Sequence, residues 1–225
     1  MRRFVLAILP LVLLLGSCRK DGFVAYSGQE MGRVQNGTII TDEGLKLVVG
    51  GNPENYDIRT DRRVMIRYQT TDIGSDGTYT IDLQELWETV VSDPTPVSEP
   101  VGLVSDDPVR IADAWFSGGY LNMTVAYAAT DPALHTFPMS FDNDGKRAVL
   151  RLYHDARETV PSDAELKQAC LCFPMEAVAA TFPAPADKSK ATVIPVLLQW
   201  RWYEDDDPSR QTVLYGKEGS YRAKL

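Results

Sequence analysis

The stretch DPVRIADAWFSGGYLNMTVAY, Asp107 to Tyr127, decides the fold class. It reads as a β-hairpin turning on Gly118 and Gly119, because a type I′ turn needs two adjacent residues that accept positive φ. That tip fixes the register. Phe116 faces Leu121, Ala114 faces Met123 and Ala112 faces Val125, which makes one apolar face. Trp115 with Asn122, Asp113 with Thr124 and Ile111 with Ala126 make the other face, which is less apolar. A slip of one residue would mix the two.

Strand signals continue on the C-terminal side. His135 to Phe141 and Arg147 to His154 flank the turn Asp142-Asn143-Asp144-Gly145; Gln168 to Phe173 and Val193 to Tyr203 follow. Pro195 marks an edge or a bulge, and Glu204-Asp205-Asp206-Asp207-Pro208 ends the last strand. This spacing predicts an antiparallel β-sandwich over residues 105–225. On the N-terminal side, three prolines within Ser92 to Pro100 predict an extended linker over 93–104. Before it, Gly37 to Ile40 and Leu45 to Val49 flank the turn Thr41-Asp42-Glu43-Gly44. Val64 to Tyr68 and Tyr79 to Leu83 flank the turn Asp72 to Gly77. Short alternating strands of this kind predict a small all-β domain over residues 30–92, of the size of a small barrel. Leu83 to Val91 fits helix and strand templates equally.

The chain opens MRRFVLAILPLVLLLGSCRK. Arg2 and Arg3 form a basic n-region, and Phe4 to Leu15 an apolar core too short to span a bilayer. Leu15-Gly16-Ser17-Cys18 then places a cysteine where a bacterial lipobox has one. Residues 1–17 are expected to be a lipoprotein signal peptide, Cys18 the acylated anchor and 18–29 a tether. Several acyl chains anchor stably where one does not. Losing Arg2 and Arg3 takes the net charge from −8 to −10. That disfavours nucleic acid and anionic membrane surfaces as partners.

Chemistry is sparse. No G-x-S-x-G, phosphate-binding loop or dinucleotide fingerprint is present. The only histidines, His135 and His154, have no ligand-spaced partner. A hairpin around Asp144-Gly145 would bring them near each other, as a surface pair or a weak site. Cys170 and Cys172 at i and i+2 share one face of a strand. A disulfide there would be strained, a metal site lacks further ligands, and buried thiols packing as small hydrophobes fit best. The acidic turns at Asp72 to Gly77 and Asp142 to Gly145 lack the calcium-loop pattern and read as hairpin turns. Trp200 and Trp202 share a face with Leu198 and are either sandwich core or, if exposed, a platform for sugar rings. No metal and no cofactor is expected.

With the lipobox Gly16-Ser17-Cys18, four stretches carry a family resemblance: Gly32-Arg33-Val34 leading to Leu45-Lys46-Leu47-Val48, Arg63-Val64 to Tyr68, Asp107-Pro108, and Asp113-Ala114-Trp115-Phe116-Ser117-Gly118-Gly119-Tyr120-Leu121-Asn122. In these the chain resembles the NigD-like lipoproteins of Bacteroidetes over almost all of its mature length. The resemblance implies an N-terminal OB-like barrel before a C-terminal β-sandwich. The family takes its name from a bacteriocin locus and has no assigned molecular activity, so no catalytic residue carries over. An OB-like fold invites a nucleic-acid reading, but residues 27–100 hold six basic and thirteen acidic side chains, which argues against it.

The reading is an all-β envelope lipoprotein, held through lipid at Cys18 and expected at the outer membrane with the leaflet open. It would be a non-enzymatic binding or accessory module for an envelope protein or glycan. Trp115, Asn122, Trp200 and Trp202 are its candidate binding residues. The alternatives are a bacteriocin-associated or immunity protein and a glycan-acting enzyme.

Overall fold

The computed structural model describes residues 26–98, 105–161, 164–185 and 190–223. The leader and Cys18 lie outside the described residues. Five strands come first: β1 (Ser27–Gln35), β2 (Thr38–Thr41), β3 (Lys46–Gly51), β4 (Arg62–Ile73) and β5 (Tyr79–Val91). β1 pairs antiparallel with both β2 and β4, β2 with β3, and β4 with β5, while β3 pairs parallel with β5. Each of the five thus has a neighbour on both sides. Their inward residues Val34, Ile39, Leu47, Val64, Ile66, Tyr68, Ile81 and Leu83 form one buried cluster. Each such side chain contributes roughly 1.5–3 kcal/mol by leaving water.

β1 begins inside the expected tether, at Ser27. Its sequence SGQEMGRVQ has two glycines and little apolar content, so propensity is a poor guide to it. The glycines are there for close approach. Gly28 stands opposite Tyr68, and a Cβ on Gly32 would sit 2.7 Å from the Ile40 carbonyl oxygen. The ambiguous 83–91 stretch is strand, because β4 pairs along it from Leu83 to Glu88.

The second half is built from β6 (Thr95–Pro96), β7 (Arg110–Ser117), β8 (Tyr120–Ala128), β9 (Met139–Asn143), β10 (Ala148–Leu152), β11 (Leu166–Pro174), β12 (Thr192–Tyr203) and β13 (Thr212–Ala223). One sheet runs β11-β8-β7 and joins the end of β5 through a parallel pairing with β11; the other runs β13-β12-β10-β9-β6. Leu121, Met123, Val125, Leu171 and Phe173 of the first sheet meet Met139, Phe141, Leu150, Leu152, Ile194, Val196 and Leu198 of the second across the main core.

Three expectations are corrected. The sandwich is not wholly antiparallel: β10 and β12 run parallel. Between them the chain leaves to build β11 in the opposite sheet, and it re-enters in the direction it left. Thr95–Pro96, expected within the extended linker, pairs with β9 at the sheet edge. β13, with Gly216, Lys217, Glu218 and Gly219 in its middle, gives no strand signal of its own. It forms because all twelve of its residues pair with β12. Pro195 sits where β12 has β13 alone as a neighbour, before its pairing with β10 begins at Val196.

The β7–β8 hairpin turns on Gly118 (φ 57°) and Gly119 (φ 85°). Phe116 faces Leu121, Trp115 Asn122, Ala114 Met123 and Asp113 Thr124, as the tip dictates. Beyond Asp113 a bulge at Ala112 shifts the pairing to Ile111 with Val125. The bulge puts Ile111 on the core and leaves Ala112 exposed. It also distorts an edge strand that would otherwise offer a straight pairing template.

Candidate functional site

In the β11-β8-β7 sheet, β8 and residues 170–173 of β11 are buried on both faces, while β7 is partly exposed at the edge. Behind it lies the outer face of the first five strands. There Met31, Met65 and Trp87 meet Trp115, Tyr120, Cys170 and Cys172. Trp115 is half-buried by this contact. Its remaining edge lines a groove of about 210 Å³ with Gln29, Glu30, Met31, Met65 and Asp113.

Arg63 of β4 is the hub of this junction, with its side chain 8% exposed. Its Nη1 and Nη2 donate to Asp42 Oδ1 (2.8 Å) and Oδ2 (2.6 Å). Nη2 also donates to Asn122 Oδ1 at 2.9 Å, and the guanidinium lies 4.0 Å from the Tyr120 ring centroid. Ser117 Oγ donates to Asp42 and accepts from Asn122 Nδ2. The network therefore ties the β2–β3 turn to the hairpin tip. Gly118 is required there, since a Cβ would lie 2.4 Å from the Asp42 carboxylate. Asn122 is wholly buried and its amide is consumed by this network, so it offers no surface to a ligand. Cys170 and Cys172 are free, buried thiols facing the same junction. The neighbouring Cys170 thiol and the Arg63 charge draw Cys172 down to about 7, while Cys172 and burial push Cys170 up.

Trp202 is buried, and its indole Nε1 donates to Asp206 Oδ1 at 2.6 Å. Of the two readings for this stripe, Trp202 takes the core. Trp200 is half-buried against the main core and stacks on Tyr215 at 5.8 Å. The structure does not gather the four candidates. Trp115 and Asn122 meet at the junction, Trp200 and Trp202 at the sandwich, and Trp115 alone edges a groove with its neighbours.

The histidines are not a surface pair. His135 is 7% and His154 2% exposed, because they pack against Tyr127 and Phe137. His154 Nδ1 lies 3.0 Å from the Pro108 carbonyl oxygen, so it carries the proton. Burial holds His154 below its ordinary value and keeps it neutral. Its Nε2 lies 2.8 Å from His135 Nδ1, and His135 Nε2 meets Glu158 Oε1 at 2.8 Å. Glu158 is held low by the His135 and Thr130 hydrogen bonds, so His135 donates to it. All four ring nitrogens are thereby occupied, and none is free to take a proton from a substrate. The chain pins the Asp107-Pro108 segment, whose Asp106 neighbour receives Arg151 at 2.6 Å and Arg201 at 3.0 Å.

Residues 95–206 match the profile of the NigD-like C-terminal beta sandwich domain. The chain belongs to the NigD-like family. Among solved structures it is similar to a NigD-like immunity protein from Bacteroides caccae, at 23% identity and TM-score 0.66 over 90% of this chain and 99% of that one. It is also similar to a candidate lipoprotein from Bacteroides fragilis, at 14% identity and TM-score 0.59 over 89% and 100%, and to a candidate toxin-related protein from Parabacteroides distasonis, at 14% and 0.58 over 89% and 94%. At these identities the likeness is one of fold. No curated protein matches in sequence.

The NigD-like segment holds the hairpin and both histidines but not Arg63 or Asp42, which sequence reasoning missed. Asp42 reads locally as a turn residue and Arg63 as a strand's polar face. A contact across 21 residues leaves no local signal. Glu158 was missed for the same reason.

Proposed function

We propose that this NigD-like chain is a lipoprotein anchored by acyl chains at Cys18 to the outer membrane, and that it binds an envelope protein or glycan without turning it over. Strands β1–β5 act as an OB-like barrel, a reading supported by the ring of pairings that β3 and β5 close. Residues 27–91 are that domain, and the sandwich takes in Thr95–Pro96 at its sheet edge and the strands from Arg110 on. The observation that carries the binding role is the groove at Trp115. It sets an aromatic edge beside Met31 and Met65 with Gln29, Glu30 and Asp113 around it, the mix of apolar body and polar rim that recognition sites use. Immunity to a bacteriocin is a second reading, favoured by the name of the Bacteroides caccae neighbour.

Two measurements in the native host test this. Wild type should fractionate with the outer membrane and Cys18→Ala should be released; a variant that stays as firmly bound removes the anchor. A photo-crosslinking p-benzoylphenylalanine placed at Trp115 should give a discrete adduct absent when it is placed at Arg33. Equal labelling from both positions, or none from either, removes the groove as the contact surface.

A further inference from the structure

A second pocket, of about 260 Å³, opens on the first five strands and shares only Glu30 with the lining of the Trp115 groove. It is lined by Tyr26, Tyr68 and Tyr79, by Glu30 and Glu43, and by Leu45, Thr70 and Ile73. Its parts are held in place. The Tyr26 backbone is fixed on both sides of its peptide: its N–H donates to Thr70 Oγ1, and its carbonyl accepts from the Thr70 N–H and hydroxyl. Tyr26 and Tyr68 meet edge to face at 6.4 Å. They do so across Gly28, where a Cβ would lie 2.9 Å from Tyr68 Cζ and 3.0 Å from Tyr26 Cε1. A glycine covered by a cross-strand aromatic is a known way to stabilise a strand, but that need is met by Tyr68 alone.

The carboxylates are what the strand does not explain. Glu30 Oε1 accepts from the Tyr68 hydroxyl at 2.9 Å. Its Oε2 is shut off from solvent and has no donor. Among the described residues neither Glu30 nor Glu43 is in an ion pair. Burial and Glu30 push the Tyr68 hydroxyl up, so it remains a donor. The pocket thus offers aromatic faces, which attract cations, and carboxylate acceptors one donor short. It offers no lysine, arginine or amide to hold an anion. A hard divalent ion wants six to eight oxygens, which tyrosine rings and an isoleucine do not supply.

We infer that the Tyr26–Tyr68–Tyr79 pocket binds an organic ammonium group, with Glu30 as its counterion. An ammonium on a flexible chain could come from a lysine side chain or from an aminoethyl lipid headgroup. The site meets the Trp115 groove only at Glu30, and its readout, the Tyr26, Tyr68 and Tyr79 rings, lies outside that groove.

The test is an NMR titration of the full-length lipoprotein in neutral detergent, with ring-labelled tyrosine. Butylammonium should give saturable shifts at Tyr26, Tyr68 and Tyr79, and 1-butanol none. Glu30→Gln should weaken butylammonium at least about tenfold while the other tyrosine signals stay in place. Gly28→Ala, which pushes the rings apart, should weaken it too. No saturation, equal shifts with butanol, or full affinity in Glu30→Gln overturns the inference. Tighter binding of Nα-acetyl-lysine amide than of ethanolamine assigns a protein side chain as the source, and the reverse a lipid headgroup; either order supports an ammonium site.

Discussion

Arg33 and Arg63 stand directly opposite each other on β1 and β4, and each grips an aspartate with two parallel hydrogen bonds. Arg33 takes Asp61 at 2.8 and 3.1 Å; Arg63 takes Asp42 at 2.8 and 2.6 Å. The chemistry is the same and the surroundings are not. The side chains of the first pair are 55% and 56% exposed, those of the second 8% and 9%. What separates them is the β7–β8 hairpin, which covers Arg63 with Tyr120 and Asn122 and leaves Arg33 in water. Two ion pairs a few ångströms apart therefore have different jobs. One is solvated surface, and the other joins the two halves of the molecule.

The largest effect should come from breaking the buried pair. Arg63→Ala leaves Asp42 charged and buried with only Ser117 as a side-chain donor, which should cost about 3–5 kcal/mol in a urea titration. Asp42→Ala strands the guanidinium and should cost a similar amount. The double variant should lose less than the two singles together, because the second removal takes away an unpaired charge. If Arg63→Ala cost under about 1 kcal/mol, the junction would not be held as described.

The histidine chain is a second buried polar cluster, and it differs from the Arg63 pair in responding to pH. Folding holds His154 below its ordinary 6.5, so the unfolded chain binds the extra proton first. The stability this gives is complete above about pH 6.5 and is lost as pH falls through the folded value. Glu158, held below its ordinary 4.5, adds a loss in the same direction at lower pH. Stability should fall between pH 7 and pH 5 by at most about 1.4 kcal/mol per unit. The chain has two histidines, so His154→Gln, which can still donate to Pro108, should flatten that slope. A slope unchanged in the variant would assign the acid sensitivity elsewhere.

These clusters mark where the sequence stops being legible. The hairpin register came from Gly118-Gly119 alone, and it holds for four pairs. It fails at Ala112 because the bulge serves Ile111, whose burial depends on a sheet far away in sequence. β4, β10 and β12 could be seen because their alternation is strong. β1 and β13 could not, because glycine and charge fill them and only the neighbouring strand makes them strands. Asp107-Pro108 was visible as a family feature with no local reason. Its reason is three-dimensional: Pro108 supplies the carbonyl that fixes the His154 tautomer. Trp115 was legible as sitting on the less apolar face, but that this face is an internal layer required the parallel joining of β5 to β11.

The smallest expected effect sharpens the opening contrast most. Arg33→Ala removes a bidentate pair whose geometry nearly equals that of the buried one. Water can solvate the Asp61 carboxylate left behind, and the freed side chain regains its rotamers. Arg33→Ala should therefore show no loss resolvable in a urea titration, and none that depends on salt between low and 1 M ionic strength. The same titration on Arg63→Ala supplies the scale. If Arg33→Ala destabilised as much as Arg63→Ala, hydrogen-bond geometry rather than burial would set the energy of both pairs. The hairpin's cover over Arg63 would then lose its energetic meaning.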